Sequence, residues 1–163
     1  MAKTVTTGFT EHSITAVVFY GLFIFVTWAF GIKIVGWEYL IIFGLLYLAA
    51  LFPDTDINSK GQDIFYTFFV AVDLYLIFTG KWKEAAILGL VAMFPVVSHH
   101  RGWTHSLLAA IILPLPLVFP EFLHVPTILT GWLMYSAVVT GYLSHILLDR
   151  SQNSCLRFAF FWV

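Results

Sequence analysis

The segment His99-His100-Arg101-Gly102-Trp103-Thr104-His105-Ser106 places three imidazoles and a guanidinium in one short stretch. Neutral imidazole is the commonest metal ligand. Gly102 permits a tight reversal, so His100 and His105 can face each other while Arg101 projects toward an anionic group. The competing reading is contact with lipid headgroups, which the clustering of His99, His100 and His105 disfavours. A second segment, Phe52-Pro53-Asp54-Thr55-Asp56, sets two carboxylates two residues apart just beyond a helix-stopping proline. Asp-x-Asp holds hard or borderline cations, but an Asp after Pro also serves turns by bonding nearby backbone amides. In a third, Ser144-His145-Ile146-Leu147-Leu148-Asp149, His and Asp lie four apart and share one helix face. Such a pair shares one metal, bridges two, or forms a buried hydrogen bond. His12, at the start of the first apolar run, is a fourth candidate, for which a solvated helix start is the alternative.

Imidazole and carboxylate without thiolate suit zinc first, with manganese or iron as alternatives, and more than four ligands allow more than one ion. Metal-bound water has a lowered pKa, and paired metals clamp both oxygens of an in-line phosphoryl displacement. The single cysteine, Cys155, provides neither an intrachain disulfide nor a thiolate site.

These groups need elements to carry them. The chain has 163 residues, 60% hydrophobic, 18% aromatic and 10% charged, with mean hydropathy +0.90. Soluble domains are about half apolar and about a quarter charged. The reading is therefore all-α, a polytopic membrane helix bundle forming a single integral membrane domain over residues 1–163. Six apolar runs follow: Ser13 to Ile32, Trp37 to Phe52, Ile64 to Thr79, Ala85 to Ser98, Thr104 to Phe119 and Thr127 to Asp149. The fourth is short and holds Pro95, and the fifth holds Pro114 and Pro116. The first run is longer than a signal-peptide core and no small-x-small site follows it, so it reads as a retained span. Residues 156–163 read as an interfacial aromatic tail.

With six spans, His12, Asp54, Asp56, His99, His100, Arg101, His105, His145 and Asp149 share one membrane face, and His124 falls opposite. That face carries Lys3, Lys60, Arg101, Arg150 and Arg157 against Lys33, Lys81 and Lys83, which leans cytoplasmic by the positive-inside rule. Ionisable groups near a bilayer are costly and tend to face a protein interior or a wet cavity, so four clusters on one face point to a common site. Asp73, in the middle of the third run, is a secondary candidate, either functional or a neutral acid bonded to Tyr75 or Tyr135. A net charge of −1 without a basic stripe argues against nucleic acid as a partner.

Three strings carry a family resemblance: Leu51-Phe52-Pro53-Asp54-Thr55-Asp56, His100-Arg101-Gly102-Trp103-Thr104-His105-Ser106, and Gly141-Tyr142-Leu143-Ser144-His145-Ile146-Leu147-Leu148-Asp149. In order and spacing, together with His12, they resemble the YdjM-like inner-membrane proteins, regarded as membrane-bound metal-dependent hydrolases. That family looks distantly similar to the all-helical zinc-dependent phospholipase C enzymes and their nuclease relatives. The resemblance implies phosphoester hydrolysis, with His12, Asp54, Asp56, His100, His105, His145 and Asp149 as ligands; His99 is outside the strict pattern. Where members continue past the last Asp with a Thr-Pro-Gly-like turn, this chain reads Arg150-Ser151-Gln152-Asn153-Ser154.

The leading expectation is a metal-dependent hydrolase acting on a phosphoester or lipid-like substrate at the cytoplasmic (inner) membrane. Asp56 or Asp54 would orient the attacking water, and Arg101 would stabilise phosphate charge. Membrane lipid is the expected partner, with a homo-oligomer or larger membrane complex as a further arrangement. The alternative is a non-catalytic helical subunit or scaffold that keeps a structural metal site. A metal or proton carrier using Asp73 ranks third, because the other spans lack acids at depth.

Overall fold

The computed structural model describes residues 8–55, 60–97, 103–118 and 128–159. Among these residues six α-helices and three short 3-10 turns follow one another, and no strand occurs. The helices are α1 (Phe9–Ala29), α2 (Glu38–Leu51), α3 (Lys60–Phe78), α4 (Trp82–Val97), α5 (Leu107–Ile112) and α6 (Ile128–Ala159). The 3-10 turns are Phe52–Asp54, Trp103–His105 and Leu115–Val118.

Local chemistry sets the boundaries. The Glu11 carboxylate accepts from the Gly8 amide at 2.8 Å, closing the first turn of α1. At the start of α2, Glu38 accepts from the Val35 amide at 2.8 Å. Pro53 stops α2 and turns the chain into the 3-10 segment that presents Asp54. The α3–α4 hairpin reverses at Gly80, whose φ of 76° favours glycine. Ser106 caps α5 by accepting from the Ala109 amide at 3.1 Å.

Among the described residues, three helices are long and apolar enough to cross a membrane: Phe9–Ala29, Lys60–Phe78 and the Thr130–Ser151 part of α6. Ile14, Val18, Leu22, Phe25 and Trp28 of α1 and Phe68, Leu74, Tyr75 and Phe78 of α3 are exposed, as lipid-facing helices require. Of the other three helices, α2 and α5 are shorter than their apolar runs, while α4 begins at Trp82, three residues before its run. With 14 and 16 residues, α2 and α4 reach only about 21 and 24 Å at 1.5 Å per residue. The run from Thr104 to Phe119 is not one helix: α5 has six residues, and the Leu115–Val118 turn follows it past Pro114. The missing amides of Pro114 and Pro116 remove two helical hydrogen bonds there. At the other end of the chain the helical backbone continues through Ala159, beyond the start of the aromatic tail.

Two clusters make the core. Ala16, Phe23, Ile42, Leu46, Ala50, Leu133 and Ala137 join α1, α2 and α6. Phe52, Phe65, Ala109, Ala110, Tyr142 and Ile146 join the Asp54 turn, α3, α5 and α6. Lipid is as apolar as leucine, so the hydrophobic effect does little to hold such helices together, and close packing of small residues does more. Helices α2 and α6 approach closely, and a Cβ on Gly141 would lie 2.1 Å from the Leu46 carbonyl oxygen. One turn further on, His145 meets the Ala50 carbonyl at 2.8 Å. The two helices thus run parallel in matched four-residue steps, Leu46 with Gly141 and Ala50 with His145. A third step brings Asp54 and Asp149 to the same end.

Candidate metal centre

Five of the candidate side chains meet at that end. They come from four parts of the chain: His12 from the first turn of α1, Asp54 from the turn after α2, His105 from the turn before α5, and His145 and Asp149 from α6. Each of the three imidazole Nε2 atoms faces both carboxylates. For His12 the distances are 3.7 Å to Asp54 Oδ2 and 3.6 Å to Asp149 Oδ1. For His105 they are 3.5 Å to Asp54 Oδ1 and 3.7 Å to Asp149 Oδ2, and for His145 3.6 and 3.5 Å to the same two oxygens. The rings of His12 and His145 stack at 4.0 Å, 9° from parallel, while His105 stands edge-on to His145 at 5.4 Å.

These separations can be set against two chemistries. An N–H···O bond spans about 2.7–3.2 Å, so all six N···O pairs are too long to be good hydrogen bonds. Ligands about 2.0–2.2 Å from one tetrahedral ion stand roughly 3.3–3.6 Å apart, close to the spacing found. His145 gives the second indication. Its Nδ1 donates to the Ala50 carbonyl at 2.8 Å, which turns the Nε2 lone pair toward the carboxylates. That Nε2 is buried and has no hydrogen-bond partner among the described residues. An acceptor nitrogen facing two acceptor carboxylates leaves a place that suits a cation. Two carboxylates match the charge of one divalent ion, and three neutral imidazoles complete a hard-to-borderline donor set, so these residues fit such an ion. Two overlapping triads have donor atoms within 4.8 Å of one another, His12 with Asp54 and His145, and His105 with His145 and Asp149. His145 belongs to both.

Exposure is graded across the cluster. His12 and His145 are buried, whereas Asp54 is 23% exposed, His105 16% and Asp149 26%. Among the described residues, the buried His12 and His145 form the closed side and the partly exposed Asp54, His105 and Asp149 the more open one. Burial pushes the Asp54 pKa up, but the His105 ring and then the His145 and His12 imidazoles more than offset it, holding the carboxyl below its ordinary range. A lowered folded-state pKa stabilises the fold above the unfolded value of 3.8 and loses that contribution as pH falls through the folded value. Acid titration of the metal-free protein, followed by circular dichroism, should therefore show an Asp54-dependent loss of stability only below about pH 4. Asp54→Asn should remove that part of the profile.

Backbone contacts hold the ligands in place. The Thr55 hydroxyl donates to the Phe52 carbonyl at 2.7 Å, and Gln62 Nε2 donates to the Thr55 carbonyl at 3.0 Å, fixing the Asp54 turn onto α3. The buried Tyr142 hydroxyl donates to the Thr104 carbonyl, tying the His105 turn to α6. Tyr142→Phe should cost about 1 kcal/mol of stability, because a buried carbonyl loses its donor. It should also weaken metal binding by about tenfold, the lower end for supports of metal ligands. Chelator competition on the two proteins measures the second effect. The Tyr142 hydroxyl is committed to the Thr104 carbonyl and Gly141 has no side chain, so metal-ligand patterns overlook them. The signal lay in spacing, since Gly141, His145 and Asp149 recur every four residues on one face.

Asp56, His99, His100, Arg101 and His124 lie outside the described residues. Asp73 is remote from the centre, in a cavity between α3 and α4. It has not paired with a tyrosine as one reading expected: its Oδ1 accepts no hydrogen bond among the described residues, and Tyr135 donates to the Ile111 carbonyl at 3.2 Å.

Fold and site together define an all-α membrane protein with a His/Asp cluster at the ends of its helices. The chain belongs to the YdjM inner membrane protein family, whose model matches residues 36–160. That stretch contains Asp54, His105, His145 and Asp149, while His12 precedes it. No curated protein and no solved structure matches the chain.

Proposed function

We propose that this protein is a metal-dependent hydrolase of a phosphoester or lipid-like substrate at the membrane interface. The observation that carries the reading is the convergence of three imidazoles on two carboxylates, at 3.5–3.7 Å, from four separate parts of the chain. His12, Asp54, His105, His145 and Asp149 would hold one or two divalent ions, zinc first by donor type. When bound, the ion supplies Lewis acidity and an activated water at neutral pH. The chain's own groups do the rest. The stacked His12 and His145 rings exclude water from the closed side. Asp54 and Asp149, on the open side, can orient a water and take its proton through whichever carboxylate oxygen is not engaged. Asp56, His100 and Arg101 are proposed to complete the ligand set and to receive phosphate charge.

The open side favours this reading over the structural-site alternative. Closed four-ligand centres are the structural kind, and catalytic ones keep a position for water or substrate. A centre at helix ends also reaches a headgroup without extracting the lipid, and the charge distribution supports the cytoplasmic face. The test is hydrolysis of bis(p-nitrophenyl) phosphate and of phospholipid vesicles by the detergent-purified full chain loaded with zinc. Turnover that a chelator removes and zinc restores is the expected result. Absence of turnover on both substrates by protein that demonstrably holds metal would leave the non-catalytic scaffold as the better reading.

A further inference from the structure

We propose that the cavity between α3 and α4 binds a small organic amine, with Asp73 as its anchor. The cavity has a volume of about 100 Å³ and is lined by Tyr66, Phe69, Val70, Asp73, Leu88, Gly89 and Ala92. On α3, residues 66, 69, 70 and 73 recur at helical spacing and form one stripe, so two aromatic rings and a carboxyl group face the same space. The opposing wall on α4 has little bulk. A Cβ built on Gly89 would meet nothing within 4 Å, and Ala92 lies one turn beyond Leu88.

Asp73 points to the ligand's chemistry. Its Oδ1 is buried and accepts no hydrogen bond among the described residues, although the residue lies on a helix long and apolar enough to span a membrane. A buried acceptor left unsatisfied is costly, and ionisable groups at such depth generally have a partner. Among the described lining residues of α4 there is no basic side chain. An amine from outside the chain would supply a charged donor to that oxygen. Aromatic faces beside a carboxyl attract an ammonium group, while Val70, Leu88 and Ala92 suit a short hydrocarbon body. At roughly 10–15 Å³ of cavity room per water, the volume admits a body of a few heavy atoms. The site is separate from the metal centre and does not rest on the hydrolase reading.

The test uses the detergent-purified full chain and n-butylamine, with n-butanol and butyrate as chain-matched controls. Binding is read as a saturable rise in the thermal unfolding midpoint, since a ligand of the native state stabilises in proportion to ln(1 + [L]/Kd). Wild type should respond to butylamine, weakly to butanol and not to butyrate. Asp73→Asn should weaken the butylamine response by at least about tenfold, equivalent to about 1.4 kcal/mol. Gly89→Leu should abolish it by filling the space, without a backbone clash. Both variants should retain helical circular dichroism and wild-type metal content, and either one alone suffices if the other does not fold. An equal response to butyrate, an undiminished response in either folded variant, or no response in wild type would overturn the proposal.

Discussion

Gly141→Ala is expected to separate α2 from α6 and take the metal centre apart. The added Cβ would sit 2.1 Å from the Leu46 carbonyl oxygen, 2.8 Å from its carbon and 3.0 Å from its Cα. All three are backbone atoms, so no side chain can swing away and the helices themselves must part. Overpacking of a tight interior typically costs about 1–3 kcal/mol, and a backbone obstruction belongs at the upper end. The same displacement stretches the 2.8 Å bond from His145 Nδ1 to the Ala50 carbonyl, one turn along. It also moves Asp149 away from Asp54. A melting temperature well below wild type, with metal affinity reduced by about 100-fold or more, should result; this matches the severe end for loss of a ligand's support. Gly44→Ala in α2 is the control, because a Cβ there meets nothing within 4 Å and alanine is the better helix former. Equal stability of the Gly141 and Gly44 variants would show that the crossing is looser than described.

His145→Ala should have the largest effect of any single change among the described ligands, because among them this side chain alone belongs to both donor triads. Its removal takes a nitrogen from each triad, leaves the Ala50 carbonyl without its donor and removes the ring on which His12 stacks. Bound metal should fall below detection. His12→Ala and His105→Ala each break one triad, so each should retain part of the metal. A two-ion centre predicts loss of about half the metal in each of those variants, and a one-ion centre predicts weakened affinity at unchanged stoichiometry. Elemental analysis after equilibrium dialysis separates the two. Wild-type metal in His145→Ala would remove His145 from the centre.

Much of the site was legible because its residues repeat at structural periods. His145 and Asp149 share a helix face by their four-residue spacing, and Pro53 announces the turn that carries Asp54. Helix lengths were less legible. An apolar run records only what can be buried or face lipid, so α2 proved shorter than the stretch containing it and α4 began three residues ahead of its stretch, at Trp82. Pro114 and Pro116 signalled the interruption of the fifth run but not its resolution into a six-residue helix and a 3-10 turn. The supports of the centre were hidden for another reason. The carbonyls of Ala50, Phe52, Thr55 and Thr104 do the holding, and a backbone carbonyl is the same in every residue. Which helices cross closely depended on the meeting of Gly141 with Leu46, a contact between residues 95 positions apart that no local spacing reveals.

The central claim is that the His/Asp cluster holds a metal ion. Elemental mass spectrometry of the detergent-purified full chain, beside the His105→Ala/His145→Ala double variant, tests it most directly. About one or more divalent ions per chain in wild type, absent from a variant that still unfolds cooperatively, is the predicted result. Wild-type protein that carries no metal even after loading, or a variant that keeps as much as wild type, would contradict it.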